Sequence, residues 1–449
     1  MANSYLARTP SSTGNRKTFT FSAWVKRSKL LDNYPIMFKQ VTDASNFVQF
    51  YFDNQDHLAF YVENGSGSGY SSLQITNRKF RDVSAWYHVM VAVDTTQASA
   101  DNRVKIYVNG NQETSFSTNT QINQNIDVSA INTTGLIEIG RASNNSSQHF
   151  NGYMTHVSLV DGQQLAPTVF GQTDSTSGIW KFKSPSGVTW GTNGFHLKFE
   201  NSGALGTDSS GQSNTFSVSG NLKQALDTPS NVHATLNPLI NIGTDTTYSE
   251  GNNTASSDTA NYRVSPSTLA VSSGKWYMEF KAVSGGFGSI DACVGVLPTD
   301  TVFSTSSNNL NAYTNGSSYG SHGQVKQSGS GTLYTGSTYA DGDIVGVALD
   351  MDNNKLYFHK NGTYQNSGVP TSGSTGTGAV SIASGKEYYF ACSTIASGGT
   401  KVFSANFGNG YFGTTAISSA GSNGNGSLFE YDVPSGYYAL NTKNINTYG

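Results

Sequence analysis

The pair Asn361-Gly362, set between the alternating run Lys355-Leu356-Tyr357-Phe358-His359-Lys360 and Thr363-Tyr364, most restricts what this chain can fold into. A two-residue turn between antiparallel strands needs positive φ at both central positions, which asparagine and glycine tolerate and most residues do not. Upstream, Ile344, Val345, Val347 and Leu349 form an apolar run of strand length. Asp350, Asp352, Asn353 and Asn354 end it with side chains that bond nearby backbone and favour a reversal. The same plan recurs near the N-terminus, where Trp86 to Asp94 is followed by Val104-Lys105-Ile106-Tyr107-Val108 and then Asn109-Gly110. Two copies this far apart predict two β-domains, each holding such a hairpin.

Length agrees, because 449 residues exceed the ~250–300 at which single cores stop growing. Charged residues make up 12% of the chain, about half the usual ~25% share, and 49 glycines punctuate it. This is the composition of antiparallel strands joined by polar turns. A formal charge of -3 leaves no basic footprint for nucleic acid. No apolar run reaches the ~18 residues that a membrane-spanning helix needs. The opening MANSYLARTPSSTGNRK has no apolar core of a secretory signal. Cys293 and Cys392 both sit in strand-like runs and read as buried thiols; a disulfide between them stays open at this point. The Asn-x-Ser/Thr triplets at Asn64, Asn132, Asn252, Asn315, Asn361 and Asn425 read as turn residues.

In chain order, Thr18 to Val25 alternates Phe19, Phe21 and Ala23 against Thr18, Thr20 and Ser22, which is the period of a half-buried strand. Short runs at Ile36-Met37-Phe38, Phe47 to Phe52 and Leu58 to Val62 continue at intervals of about 10 residues, as sandwiches do. Leu136 to Gly140 and Tyr153 to Val160 complete a first domain over residues 1–170. Residues 171–240 form an aromatic, Gly/Ser-rich connector with Trp180, Trp190 and Phe195 and one clear short strand at Leu197-Lys198-Phe199. Its tryptophans are expected to hold neighbouring domains together. A second strand-rich domain spans 241–449, with Lys275 to Phe280 alternating, Ala292 to Leu297, Tyr388 to Cys392 and Val402 to Phe407 as further strands, and a polar, aromatic tail. The fold class predicted is all-β: two antiparallel β-sandwiches, jelly-roll and lectin-like, joined by that connector.

The order of AWVK, WYHVMVAVD, VKIYVNG, LIEIGRA and FNGYMTHVSLVDGQQLAP resembles the laminin-G, concanavalin-type lectin fold over residues 1–170. Met154-Thr155-His156 stands where relatives often carry acidic residues, which weakens the transfer of a calcium site and leaves a structural calcium possible but unsupported. GKWYMEFKA, CVGVLP, GDIVGVALDMDNNKLYFHKNG and FSANFG resemble the SPRY domain over residues 262–437. Segments within residues 149–239, among them GTNGFHLKFENSGALGTDSSGQSNTF and ALDTPSNVHATLNPL, resemble structural proteins of tailed marine bacteriophages. That resemblance implies a virion surface protein, of tail-fibre or capsid-fibre kind. It implies a homo-oligomer too, since such fibres are commonly trimers.

Catalysis finds little in the residues. Glycoside hydrolysis needs two carboxyls flanking the scissile bond, and the chain has eight Glu, none within four residues of another. Metal ligation needs convergent His, Cys or carboxylates; the histidines are scattered, and Asp350, Asp352 and Asn353 have the spacing of a turn. No enzyme activity, metal or cofactor is therefore expected. Binding fits better, because sugars are held by aromatic faces amid dense polar groups. Tyr313, Tyr319 and His322, in an expected loop from Ser304 to Gly336, are the candidate ligand-binding residues; the same rings could instead cap the sandwich or pack on a sister subunit. The reading is a virion structural protein that attaches to host surface glycans and to other virion proteins. The alternatives are a purely structural decoration protein and a polysaccharide depolymerase.

Overall fold

The computed structural model describes residues 4–65, 71–142, 145–240, 245–288, 292–304, 308–395 and 399–449. The chain divides into two compact units, Met1–Gln224 and Ala225–Gly449. Each is an antiparallel β-sandwich.

In the first unit one sheet runs, edge to edge, through Phe116–Thr120, Ser72–Lys79, His57–Asn64, Asn46–Phe52, Ile36–Asp43, Leu136–Ile139, Tyr5–Arg8 and Ser217–Ser219. The other runs through Phe195–Leu197, Gly152–Asp161, Thr18–Arg27, Trp86–Asp94, Val104–Val108 and Asn111–Gln112. Phe19, Phe21, Ala23 and Val25 point between the sheets, against Phe38, Phe50 and Phe60. The alternation expected of Thr18 to Val25 is thus present. Thr20 and Ser22, on the other face, are buried as well. They are covered by the chain after Asp161: Thr20 Oγ1 donates to Gln163 O at 2.7 Å and accepts from Leu165 N at 2.9 Å.

That covering corrects the expected connector. Phe195–Leu197 pairs with Gly152–Asp161, and Ser217–Ser219 pairs with Tyr5–Arg8, so residues 171–224 complete the first sandwich at two sheet edges. From Ala225 onward the chain belongs to the second unit. There Ala234 N donates to Leu440 O at 3.0 Å, and Leu236 bridges Ser267.

In the second unit one sheet follows the path Thr246–Ser249, Thr254–Ser257, Lys401–Asn406, Lys275–Ser284, Ile344–Asp350, Lys355–Lys360 and Thr363–Tyr364. The facing sheet comprises Arg263–Val271, Tyr388–Thr394, Cys293–Pro298, Ser317–Gly320, Gln324–Gln327 and Gly331–Thr335. Lys401–Asn406 covers only the later part of Lys275–Ser284, and Tyr438–Ala439 lies parallel to the uncovered beginning, at Trp276 and Tyr277. The tail is therefore part of the fold. It ends in the helix Thr442–Tyr448, capped by Asn441, whose side chain accepts from Asn444 N.

Both asparagine-glycine turns take the predicted form. Val108 pairs with Asn111 and Lys360 with Thr363, leaving two-residue loops in which φ is 48° and 81° for Asn109-Gly110, and 47° and 83° for Asn361-Gly362. Asn132, Asn252, Asn315 and Asn425 are also left-handed, at 52°, 66°, 59° and 50°, as turn residues are. Cys293 and Cys392 lie on adjacent strands, but Cys293 is opposite Ser393 and Val294 opposite Cys392. Their side chains therefore leave opposite faces of the sheet, and the two buried thiols are not joined in a disulfide.

Candidate functional site

Tyr313 and Tyr319, expected to contact a ligand, are corrected to core residues. Residues 317–335 are three paired strands and not a loop, while 305–307 lie outside the described residues. Tyr319 has no exposed surface, packs between Tyr339 and Phe358, and donates its hydroxyl proton to Ser337 O. Tyr313 is buried with its ring edge-on to Phe303. Neither offers a ring face to a sugar. His322 is half-buried, with Nε2 2.9 Å from Gln324 Oε1.

Trp180 and Trp190 hold the covering segment onto its own sandwich. Trp180 Nε1 donates to His88 Nδ1 at 3.1 Å, and the two rings stack at 5.9 Å. His88 also stacks on Trp24 and bonds Ser22 Oγ at 2.8 Å. Burial pushes its imidazole down to about 3, so it is neutral at ordinary pH. Trp190 stacks on His196 at 5.6 Å, and His196 Nε2 lies 3.2 Å from His156 Nδ1. Among the described residues no group of three or more His, Cys, Asp or Glu is placed to hold a metal ion.

An aromatic surface does appear in the first unit, on the outer face of the larger sheet. Alternation that sends Val48, Phe50, Leu58 and Phe60 inward turns Phe47, Tyr51, Ala59 and Tyr61 outward. Tyr51 packs with Ile36 and Ala142 in a separate outer cluster, with Tyr34, Tyr61 and Ile75 half-exposed around it. Tyr34 lies 5.9 Å from Tyr51, and Phe47 stands edge-on to Tyr61 at 5.0 Å. Lys39 Nζ sits 4.5 Å above the Phe47 ring, and Lys39 is the cross-strand partner of Glu138. Glu138 also binds Arg141 at 2.7 Å, whose guanidinium lies 3.4 Å over Tyr5. Rings with adjoining charged and amide groups form a surface on which a sugar can stack and hydrogen-bond. Strand parity contains this face, but the covering segment on the opposite sheet does not show in parity, so the sequence alone does not say which outer face is open.

A second feature lies in the second unit: a cleft of about 270 Å³ lined by His359, Gly362, Tyr364, Glu430, Tyr431 and Asp432. Its floor is a buried polar chain. Glu279 accepts from Tyr431 N and Glu430 N at 2.9 Å each, and from the Tyr277 hydroxyl at 3.0 Å. The Tyr277 oxygen is 2.7 Å from His359 Nε2, and His359 Nδ1 accepts from Gly362 N at 3.1 Å. Burial raises the Glu279 carboxyl to about 7 against the pull of those backbone donors, and lowers His359 to about 3. Tyr364 and Tyr431 meet the His359 ring edge-on at 5.2 and 5.4 Å. The signal that could have located this cleft is the run Glu430-Tyr431-Asp432 inside a tail rich in glycine.

Fold and surfaces together define an all-β protein of two sandwiches, one bearing an aromatic sheet face and the other a small acidic cleft. Residues 2–169 match the family described as the Concanavalin A-like lectin/glucanases superfamily, and residues 275–396 match the SPRY domain. The chain thus carries a concanavalin A-like lectin domain followed by a SPRY domain. Similar solved structures include the SPRY domain of human HERC1, at 17% identity and TM-score 0.30, covering 38% of this chain and 96% of that one. The heptameric SAP-like pentraxin of Limulus polyphemus is 14% identical at TM-score 0.30, covering 48% of this chain and 88% of the other. A putative carbohydrate binding protein from Bacteroides ovatus is 17% identical at TM-score 0.30, covering 49% and 57%. No curated protein matches the chain.

Proposed function

We propose that the protein is a non-catalytic adhesin that binds surface glycans through the outer aromatic face of its lectin-type domain, with Tyr34, Phe47 and Tyr61 as the stacking platform around the buried Tyr51. The observation that carries this reading is the coincidence of a lectin-family domain at residues 2–169 with half-exposed rings grouped on one sheet face. In its fuller form the proposal places the protein on the surface of a tailed-bacteriophage virion, as a tail or capsid fibre in an oligomer. What supports that part is the resemblance of segments within residues 149–239 to structural proteins of such particles. Several copies would raise weak single-site binding to useful avidity.

A non-catalytic role is supported by the setting of Glu279. Its raised carboxyl would suit a general acid, yet it is enclosed by its own backbone and tyrosine donors. The test is competition: purified protein added to host cells is expected to block particle adsorption, and the double variant Phe47→Ala/Tyr61→Ala is expected not to. Adsorption unaffected by the wild-type protein would reject the attachment role and leave the decoration reading. Release of reducing sugar from host polysaccharide would reject the non-catalytic one.

A further inference from the structure

We propose that the cleft in the SPRY-bearing unit is a second ligand site, independent of the lectin face, and that it takes an ammonium-bearing sugar of the glucosamine type. At about 270 Å³ the cleft is smaller than the ~300–1,000 Å³ typical of drug-sized ligands, so it suits one ring and not an extended chain. Its lining is selective in charge. Glu430 and Asp432 stand beside the rings of Tyr364 and Tyr431, and among the described residues no lysine or arginine lines the space. The nearby Lys360 is engaged by Asp343 at 3.0 Å and by Thr338 O at 2.9 Å. Burial raises the Tyr431 phenol, and the neighbouring carboxyl groups of Glu430, Glu279 and Asp343 raise it further.

The walls are preset. Glu430 is held at Oε2 by Ser418 N at 2.6 Å and at Oε1 by Ser418 Oγ, and Asp432 Oδ1 by Ser422 N and Oγ at 2.7 Å each, which leaves Asp432 Oδ2 without a protein partner among the described residues. Tyr364 lines the cleft, but its hydroxyl is shielded from solvent and is therefore not the group a ligand meets. Glu279 pins the backbone of Glu430 and Tyr431 from below, so little ordering is left for the ligand to impose. An ammonium group placed between two aromatic rings and two carboxylates gains both cation–π attraction and charge-assisted hydrogen bonds. A neutral hexose in the same place gains stacking and ordinary hydrogen bonds alone.

The experiment is a titration of the full chain, followed by ligand-observed NMR, with glucosamine, glucose, N-acetylglucosamine and lysine as probes. Glucosamine is expected to saturate with a dissociation constant on the order of 1 mM. Glucose and N-acetylglucosamine, which lack the free ammonium, should bind at least ~10-fold more weakly. Tyr431→Ala and Asp432→Asn should each weaken glucosamine by a similar factor, and added salt should weaken it further. Asp432 is exposed, so its variant keeps the fold even where Tyr431→Ala disturbs it. Equal binding of glucose and glucosamine, indifference to Asp432→Asn, or no saturation would overturn the site. Lysine binding as tightly as glucosamine would overturn its assignment to a sugar. Phe47→Ala/Tyr61→Ala should leave this titration unchanged, which separates its failure from failure of the lectin-face proposal.

Discussion

The Tyr277 hydroxyl donates to Glu279 Oε1 at 3.0 Å, and the same carboxylate holds the backbone N–H groups of Glu430 and Tyr431. A strand of the sandwich thereby carries the tail segment that forms the rim of the cleft. Because burial raises the Glu279 carboxyl from 4.5 to about 7, the folded state favours its proton more than the unfolded chain does. Its contribution to stability is full below the unfolded value and is lost as pH rises through about 7. Relative to Glu279→Gln, which does not titrate, the wild type is expected to be most favoured at pH 5, with an advantage that falls by a few kcal/mol at most on going to pH 8. Thermal melts of both proteins from pH 5 to pH 8 check this; a wild-type advantage that grows with pH would contradict it.

Gly362 takes φ 83°, and a Cβ there would meet the Tyr431 ring at 2.9 Å. Gly362→Val is therefore expected to cost at least ~1–3 kcal/mol through backbone strain, and to displace the ring besides. Chemical denaturation measures the loss, and near-ultraviolet circular dichroism reports the tyrosine.

Trp180 lies against two glycines: Cβ atoms at Gly171 and Gly110 would come within 2.4 and 2.6 Å of its indole. Gly171→Ala, at an ordinary φ, isolates the steric effect. It should lift Trp180 from His88 and cost ~1–3 kcal/mol of overpacking, with a red shift in tryptophan emission. An unchanged spectrum would mean that the segment after Asp161 does not seal this sheet.

Asp350 accepts from Asn353 N at 3.0 Å and Nδ2 at 2.8 Å, and pairs with Lys275 at 3.1 Å. Those bonds make it a buried turn-former with a half-buried charge partner. Asp350→Asn is expected to lower stability by ~1–3 kcal/mol, the cost of weakening a half-buried charged pair, with no change in metal content by elemental analysis.

The hairpins were the most legible part of the chain. Asn109-Gly110 and Asn361-Gly362 announce themselves because few residues accept positive φ, and the run Phe19, Phe21, Ala23 because a one-sided core imposes a period of two. What stayed hidden depends on long-range pairing. The strands at Ser317–Gly320 and Gln324–Gln327 hold one strand former each, Tyr319 and Val325, among serine, glycine, glutamine and lysine, so Tyr319 looked like a loop residue when it is core. The short strand expected at Leu197-Lys198-Phe199 lies two residues earlier, at Phe195–Leu197, with Phe199 left-handed at φ 61°, while Ser217–Ser219 went unseen because it exists only where a sheet edge receives it. The cleft joins residues about seventy positions apart, Gly362 with Tyr431, through a tether at Glu279 that no local pattern displays.

Binding of the purified chain to an array of bacterial surface glycans, wild type beside Phe47→Ala/Tyr61→Ala, tests the central claim most directly. Sugar stacking on an aromatic face predicts saturable binding to a defined set of glycans by the wild type, and loss of that set by a variant that still melts cooperatively. Equal binding by both proteins, or no binding by the wild type to any glycan, would contradict it.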